Sequence, residues 1–131
     1  MSLSLPADIE PFLDGRAFER IRGPAVYCLS VVRPEDIHTA WYREFDNEAP
    51  YLDDLAEADT AYYVGAANDL LHRLNDHNDG DVRKAALLRV CAINALEHVW
   101  WFDDTDQAFQ QESRIATELA NELPNCYVHQ R

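Results

Sequence analysis

Between Pro24 and Pro34 the chain runs AVYCLSVVR, and this bracketed run constrains the fold more than any other segment. It is rich in β-branched and apolar side chains and reads as a strand from Ala25 to Arg33, short enough to be buried on both faces. Pro34 ends that strand and takes a favourable first-turn position for a helix, EDIHTAWYREF, in which Ile37, Trp41 and Phe45 fall at i, i+4 and i+8. The stretch from Asn47 to Asp59 is acidic and reads as a loop. A second strand follows at Thr60 to Gly65, in which the adjacent Tyr62 and Tyr63 point to opposite faces, just as Tyr27 and Leu29 share one.

From Ala67 the apolar spacing turns helical, with Leu70, Leu71 and Leu74 on one stripe before the turn cluster NDHNDGD. That cluster is not a calcium loop: with Gly80 as sixth position, the twelfth is Ala86, which offers no carboxylate. Asp81 caps a further helix through Val90, and LEHVWWF, Leu96 to Phe102, reads as a third strand. DDTD supplies N-cap candidates for a last helix from about Gln107 to Leu123, which Pro124 stops. Residues 1–23 read as an N-terminal arm with a short helix around Ile9 to Phe18. The expected domain, residues 24–131, is of the α+β class: a small, largely antiparallel three-stranded sheet flanked by helices, with a helical insertion at about 34–59.

Charge narrows the setting. The 131 residues hold 24 acids against 11 bases, a formal charge of −13, and the bases include a single lysine, Lys84. With 47% hydrophobic residues the chain still has the material for a core, so disorder is not expected. Such a surface repels itself in dilute buffer and is screened within roughly 3 Å at about 1 M salt, so the simplest reading is a halophilic cytoplasm. The competing reading is an acidic protein that mimics DNA or binds a basic partner. No apolar run approaches the roughly 18 residues of a membrane span and the N-terminus lacks a signal-peptide pattern, so a soluble cytoplasmic domain is expected. Cys28, Cys91 and Cys126 are scattered and form no CxxC, which indicates neither a disulfide framework nor a zinc site.

One polar residue breaks the pattern. Ala108, Phe109, Ile115, Ala116, Leu119 and Leu123 define the buried stripe of the last helix, and Glu112 stands in the middle of it. A core-side acid is unfavourable unless paired or coordinated, so Glu112 is either an ion-pair partner, with Arg73 the obvious mate, or a metal ligand. Arg73 and His77, four apart on one helix, project from the same face. Bases concentrate between Arg73 and Arg89, a segment that includes Arg83 and Lys84.

Taken in order, AVY at 25–27, YVG at 63–65, NDLLHRLNDH at 68–77, Glu112 in a late helix and PN at 124–125 resemble the GIY-YIG nuclease family. Ala25 stands where the family prefers Gly, and the segment between Tyr27 and Tyr63 is longer than the usual hairpin. The resemblance implies metal-assisted hydrolysis of nucleic-acid phosphodiesters, of DNA in the first instance, by a structure-directed or weakly specific endonuclease. It makes Tyr27 the general base or its relay, Tyr63 the residue that positions water, and Arg73 the phosphate clamp. His77 then orients a phosphate or a tyrosine hydroxyl, and Glu112 holds one Mg²⁺ or Mn²⁺. Gly65 allows a close turn from strand into helix, Arg83 and Lys84 provide a local cationic spot, and Asn125 lies beside the site or at the helix end. The insertion is open to three uses: shielding the site, docking a protein partner or second copy, or carrying surface charge. The rival reading is a catalytically idle fold used for DNA binding or assembly.

Overall fold

The computed structural model describes residues 23–70, 72–73, 86–123 and 125–130. The expected N-terminal helix, the whole NDHNDGD turn and the Asp81 cap lie outside the described residues. Chain order is β1 (Ala25–Val32), α1 (Ile37–Phe45), α2 (Leu52–Glu57), β2 (Thr60–Ala67), α3 (Ala86–Val90), β3 (Ala92–Trp101), α4 (Thr105–Glu122) and β4 (Cys126–Gln130). The sheet order is β3-β1-β2-β4. β1 pairs antiparallel with β2 and with β3, whereas β4 joins β2 in parallel.

The expected three-stranded sheet is therefore corrected to a mixed four-stranded one. α4 ends at Glu122, yet Asn125, at a left-handed φ of 48°, turns the chain into a further strand. An Asn tolerates that conformation better than most side chains. β3 also begins four residues earlier than expected, because register shifts between Cys28 and Leu29 and between Ser30 and Val31 blur the alternation that marks a strand.

β1 is buried on both faces. Ala25, Tyr27, Leu29 and Val31 enter one core with Ile37 and Trp41 of α1, Leu52 and Leu55 of α2, and Leu87 and Leu88 of α3. Val26 and Cys28 enter another with Val64 and Ala66, closed by Ala108, Ile115 and Ala116 of α4. Both long helices start on an aspartate. Asp36 accepts from the Thr39 N–H at 3.2 Å and so begins α1 at Ile37, three residues beyond the expected Pro34 start. Asp104 accepts from the Gln107 N–H at 2.8 Å, while the Gln107 side chain accepts from the Asp103 N–H at 3.3 Å, a reciprocal cap.

The insertion is more ordered than a loop. Leu52 and Leu55, three apart, are both buried, and Asp53 and Asp54 complement the first turn of α2. Arg33, at the end of β1, ties this helix down: its guanidinium donates to the carbonyls of Leu55, of Ala58 at 2.6 Å and of Asp59 at 3.2 Å. Replacing Arg33 with Ala leaves those carbonyls without their charged donor. Urea unfolding should then report a stability lower by about 2 kcal/mol; an unchanged midpoint would show that water substitutes for the guanidinium.

Candidate active site

The site is built on the paired strands β1 and β2. Antiparallel pairing sets Tyr27 opposite Gly65 and Leu29 opposite Tyr63, so both tyrosines rise from the same face. Their rings lie 6.2 Å apart at 43°, and neither side chain is exposed. Gly65 is not at a strand-to-helix turn, as its position after the tyrosine implied; it lies within β2. Its reason for being glycine is the Tyr27 phenol, which crosses the strand so closely that a Cβ would stand 2.6 Å from Oη and 2.7 Å from Cζ.

After β2, Asp69 reverses the chain into helix by accepting from the His72 N–H at 3.1 Å, and its carbonyl accepts from the Arg73 N–H at 3.0 Å. Leu70, fully buried in the core beneath the tyrosines, fixes the height of this turn. Arg73 is thereby carried to the tyrosine pair, and its charge acts on both phenols. Burial pushes the Tyr27 phenol well above the ordinary tyrosine range, Tyr63 pushes it the same way, and the Arg73 guanidinium opposes both. Tyr63 is also raised, first by burial, with Arg73 opposing and the Glu112 carboxylate adding to the rise. Both phenols are therefore neutral hydroxyls in this structure, held close to a cation that favours their ionised form.

Glu112 is 3% exposed, the one charged side chain buried among the described residues. Its neighbours on the stripe, Ala108, Ile115 and Ala116, pack on the sheet face opposite the tyrosine rings, whereas Phe109, expected on that stripe, turns outward and is exposed; the Glu112 charge still reaches Tyr63. Among the described residues no group of three or more His, Cys, Asp or Glu side chains could cage a metal. A single carboxylate completed by phosphate oxygens and water nonetheless suits Mg²⁺, so the donor available at Glu112 fits one hard divalent ion.

Of the other expected site residues, Asn125 alone is among the described ones. His77, Arg83 and Lys84 lie outside the described residues. Asn125 is not beside the tyrosines: it lies at the far end of β2, where its amide donates to Asp59 at 3.2 Å and its carbonyl accepts from the Asp59 N–H at 2.8 Å. That is four strand residues, roughly 13 Å, from Tyr63. Conversely, Tyr127 and His129 stand beside the tyrosines although no motif marks them; the only signal is that CYVHQ alternates as a strand does and sets both on one face. His129 pairs with Tyr63 across β2 and β4 and stacks on it, with ring centroids 6.1 Å apart at 24°.

These buried groups make stability fall in alkali. The folded Tyr27, Tyr63 and Tyr127 hold protons that an unfolded chain releases near pH 10, and the buried thiols of Cys28, pushed up to about 12, and Cys91, about 11, act in the same direction. Their contribution is fully present below the unfolded-state values and is lost as pH rises beyond them. Urea midpoints measured from pH 8 to 11 should drop, and Tyr63→Phe should make the drop shallower; an equal slope in the variant would contradict the burial of that phenol.

Among the described residues no helix is long and apolar enough to cross a membrane. The chain matches the GIY-YIG catalytic domain over residues 55–123, more than half its length. Comparison with curated proteins and with solved structures gives no match. The matched span carries Tyr63, Gly65, Arg73 and Glu112, while Tyr27 lies ahead of it and reaches the same place through the β1–β2 pairing. On the match and the small α+β fold with its mixed sheet, the chain belongs to the GIY-YIG catalytic domain family, a family of nucleases.

Proposed function

We propose that this protein is a divalent-metal-dependent endonuclease that hydrolyses DNA phosphodiesters with structure-directed or weak sequence preference. The observation that carries the proposal is the convergence of Tyr27, Tyr63 and Arg73 on one sheet face, with the Glu112 charge reaching the same tyrosine. In this reading Arg73 takes the scissile phosphate by two parallel N–H donors and opposes the charge that builds on it in the transition state. Tyr63 orients the attacking water. Tyr27, neutral in its buried setting, takes the water's proton while its own passes to a non-bridging oxygen of the scissile phosphate, a relay that needs no free phenolate. Glu112 would hold Mg²⁺ or Mn²⁺, and that ion, when bound, stabilises negative charge on the leaving oxygen. The insertion, now seen as two short helices, remains a candidate surface for a partner or second copy, and a salt-rich cytoplasm remains the setting that best accounts for the charge of −13.

One observation favours the alternative, an idle fold that binds DNA or assembles with partners: α4 sits on the face opposite the tyrosine rings. Cleavage separates the two readings. The full chain in high salt, given nicked, flapped and linear duplexes, should cut one of them only when Mn²⁺ or Mg²⁺ is added. Glu112→Ala should then slow cutting on the order of 10²–10³-fold. Binding without cutting, or a Glu112→Ala variant as fast as wild type, would select the idle fold.

A further inference from the structure

Four rings run in contact from the insertion to the site. Tyr51, at the start of α2, stacks on Tyr127 at 6.0 Å and 21° and sets an edge against His129 at 4.9 Å and 61°. Trp41 of α1 meets Tyr51 nearly perpendicular, at 5.5 Å and 89°, which anchors the column in the insertion's own core. His129 in turn lies nearly parallel to Tyr63, its register partner across the parallel β2–β4 ladder. On its other flank, Tyr63 faces the Tyr27 ring. Tyr63 therefore stands between one aromatic wall from β1 and another from β4.

A stacked ring is free to slide and spin unless something holds its edge. Here the Tyr127 hydroxyl lies 2.9 Å from Nδ1 of His129, a hydrogen bond that fixes the rotation of the imidazole. A phenylalanine at 129 would stack without that restraint. We propose that His129 is a positioning residue for Tyr63, pinned by Tyr127 and backed by Tyr51, so that the insertion and β4 together set where the Tyr63 hydroxyl points. Burial lowers the affinity of His129 for a proton, which keeps the ring neutral and suits it to packing against an aromatic face. The catalytic meaning of this placement rests on the nuclease reading of Tyr63; the placement itself does not.

A double-mutant cycle tests it in the full chain, with steady-state kcat and KM for cleavage read beside the Tyr63 ¹³Cζ resonance in tyrosine-labelled protein. His129→Ala should lower kcat on the order of 10–100-fold with KM within about twofold, since a misplaced water-orienting group slows chemistry without weakening substrate binding. Tyr127→Phe, which leaves the stack and removes only the pin, should lower kcat about three- to tenfold and move the Tyr63 resonance. In a His129→Phe background the same Tyr127→Phe change should have no further effect on either readout. Wild-type kcat in His129→Ala, a loss confined to KM, or a Tyr127→Phe effect undiminished by His129→Phe would each overturn the proposal. If His129→Ala does not fold, the Phe variants decide the matter. If the wild-type chain cuts nothing, the nuclease reading has failed, and the Tyr63 resonance across the same cycle still decides whether His129 positions that ring.

Discussion

Arg73→Ala should reduce the cleavage rate on the order of a thousandfold, about 4 kcal/mol of transition-state stabilisation. Two losses combine in that figure. The scissile phosphate loses a planar two-pronged donor, and both phenols lose the cation that opposes their burial. Arg73→Lys should recover only a small part of the rate, because an ammonium is a point charge that cannot reproduce parallel N–H donors to a phosphate. DNA binding should weaken far less than cleavage, since one phosphate contact among several carries a modest share of affinity. A second measurement separates catalysis from folding: in folded Arg73→Ala the buried tyrosines should ionise at higher pH than in wild type, followed by ultraviolet absorbance at the phenolate band. The direction follows from sign alone, because removing a neighbouring positive charge disfavours the phenolate. A variant that cuts within tenfold of wild type would remove Arg73 from the mechanism.

How much of this was legible in the sequence depended on whether the signal was local. Glu112 stood out because a helical stripe has a period that one acid visibly breaks, and the structure finds it buried. Arg73 was legible as one side chain on a helix, but its approach to the tyrosines depends on the Asp69 turn and on Leu70 burying beneath them. The pairing of Tyr27 with Gly65 is non-local, carried across an insertion of two helices, and no periodicity encodes it. The resemblance supplied Gly65 with a turn to make, whereas the structure shows a steric reason that only the neighbouring strand reveals. α2 was hidden because its acids outnumber its two buried leucines, and those leucines matter only once a core exists for them. β4 is hidden behind Pro124 in a linear reading, and with it a histidine that stacks on Tyr63. Features fixed by sterics between strands are the ones a linear reading loses.

The sharpest of those steric features predicts that Gly65→Ala, the smallest change available, disables the site. No left-handed backbone is involved at Gly65, so alanine fits the strand's own conformation and would even gain a little from a less flexible unfolded chain, about 0.5–1 kcal/mol. Against that gain stands a methyl group 2.6 Å from Oη and 2.7 Å from Cζ of Tyr27, with Tyr63 Cε1 at 3.0 Å on the other side. Neither ring can yield easily, since both are fully buried and Tyr27 is walled by its own core. Overpacking of this kind destabilises by roughly 1–3 kcal/mol, which outweighs the backbone gain. The larger consequence is for chemistry: the phenol must swing by about an ångström, a displacement that by itself reduces rates on the order of a hundredfold. Urea unfolding and single-turnover cleavage of Gly65→Ala should show both losses together. Adding Tyr27→Phe removes the closest atom but leaves Cζ in place, so the double variant should recover part of the stability and none of the activity. If Gly65→Ala keeps wild-type stability and rate, the Tyr27 phenol does not occupy the space above β2, and the arrangement of the two tyrosines on which the mechanism depends is wrong.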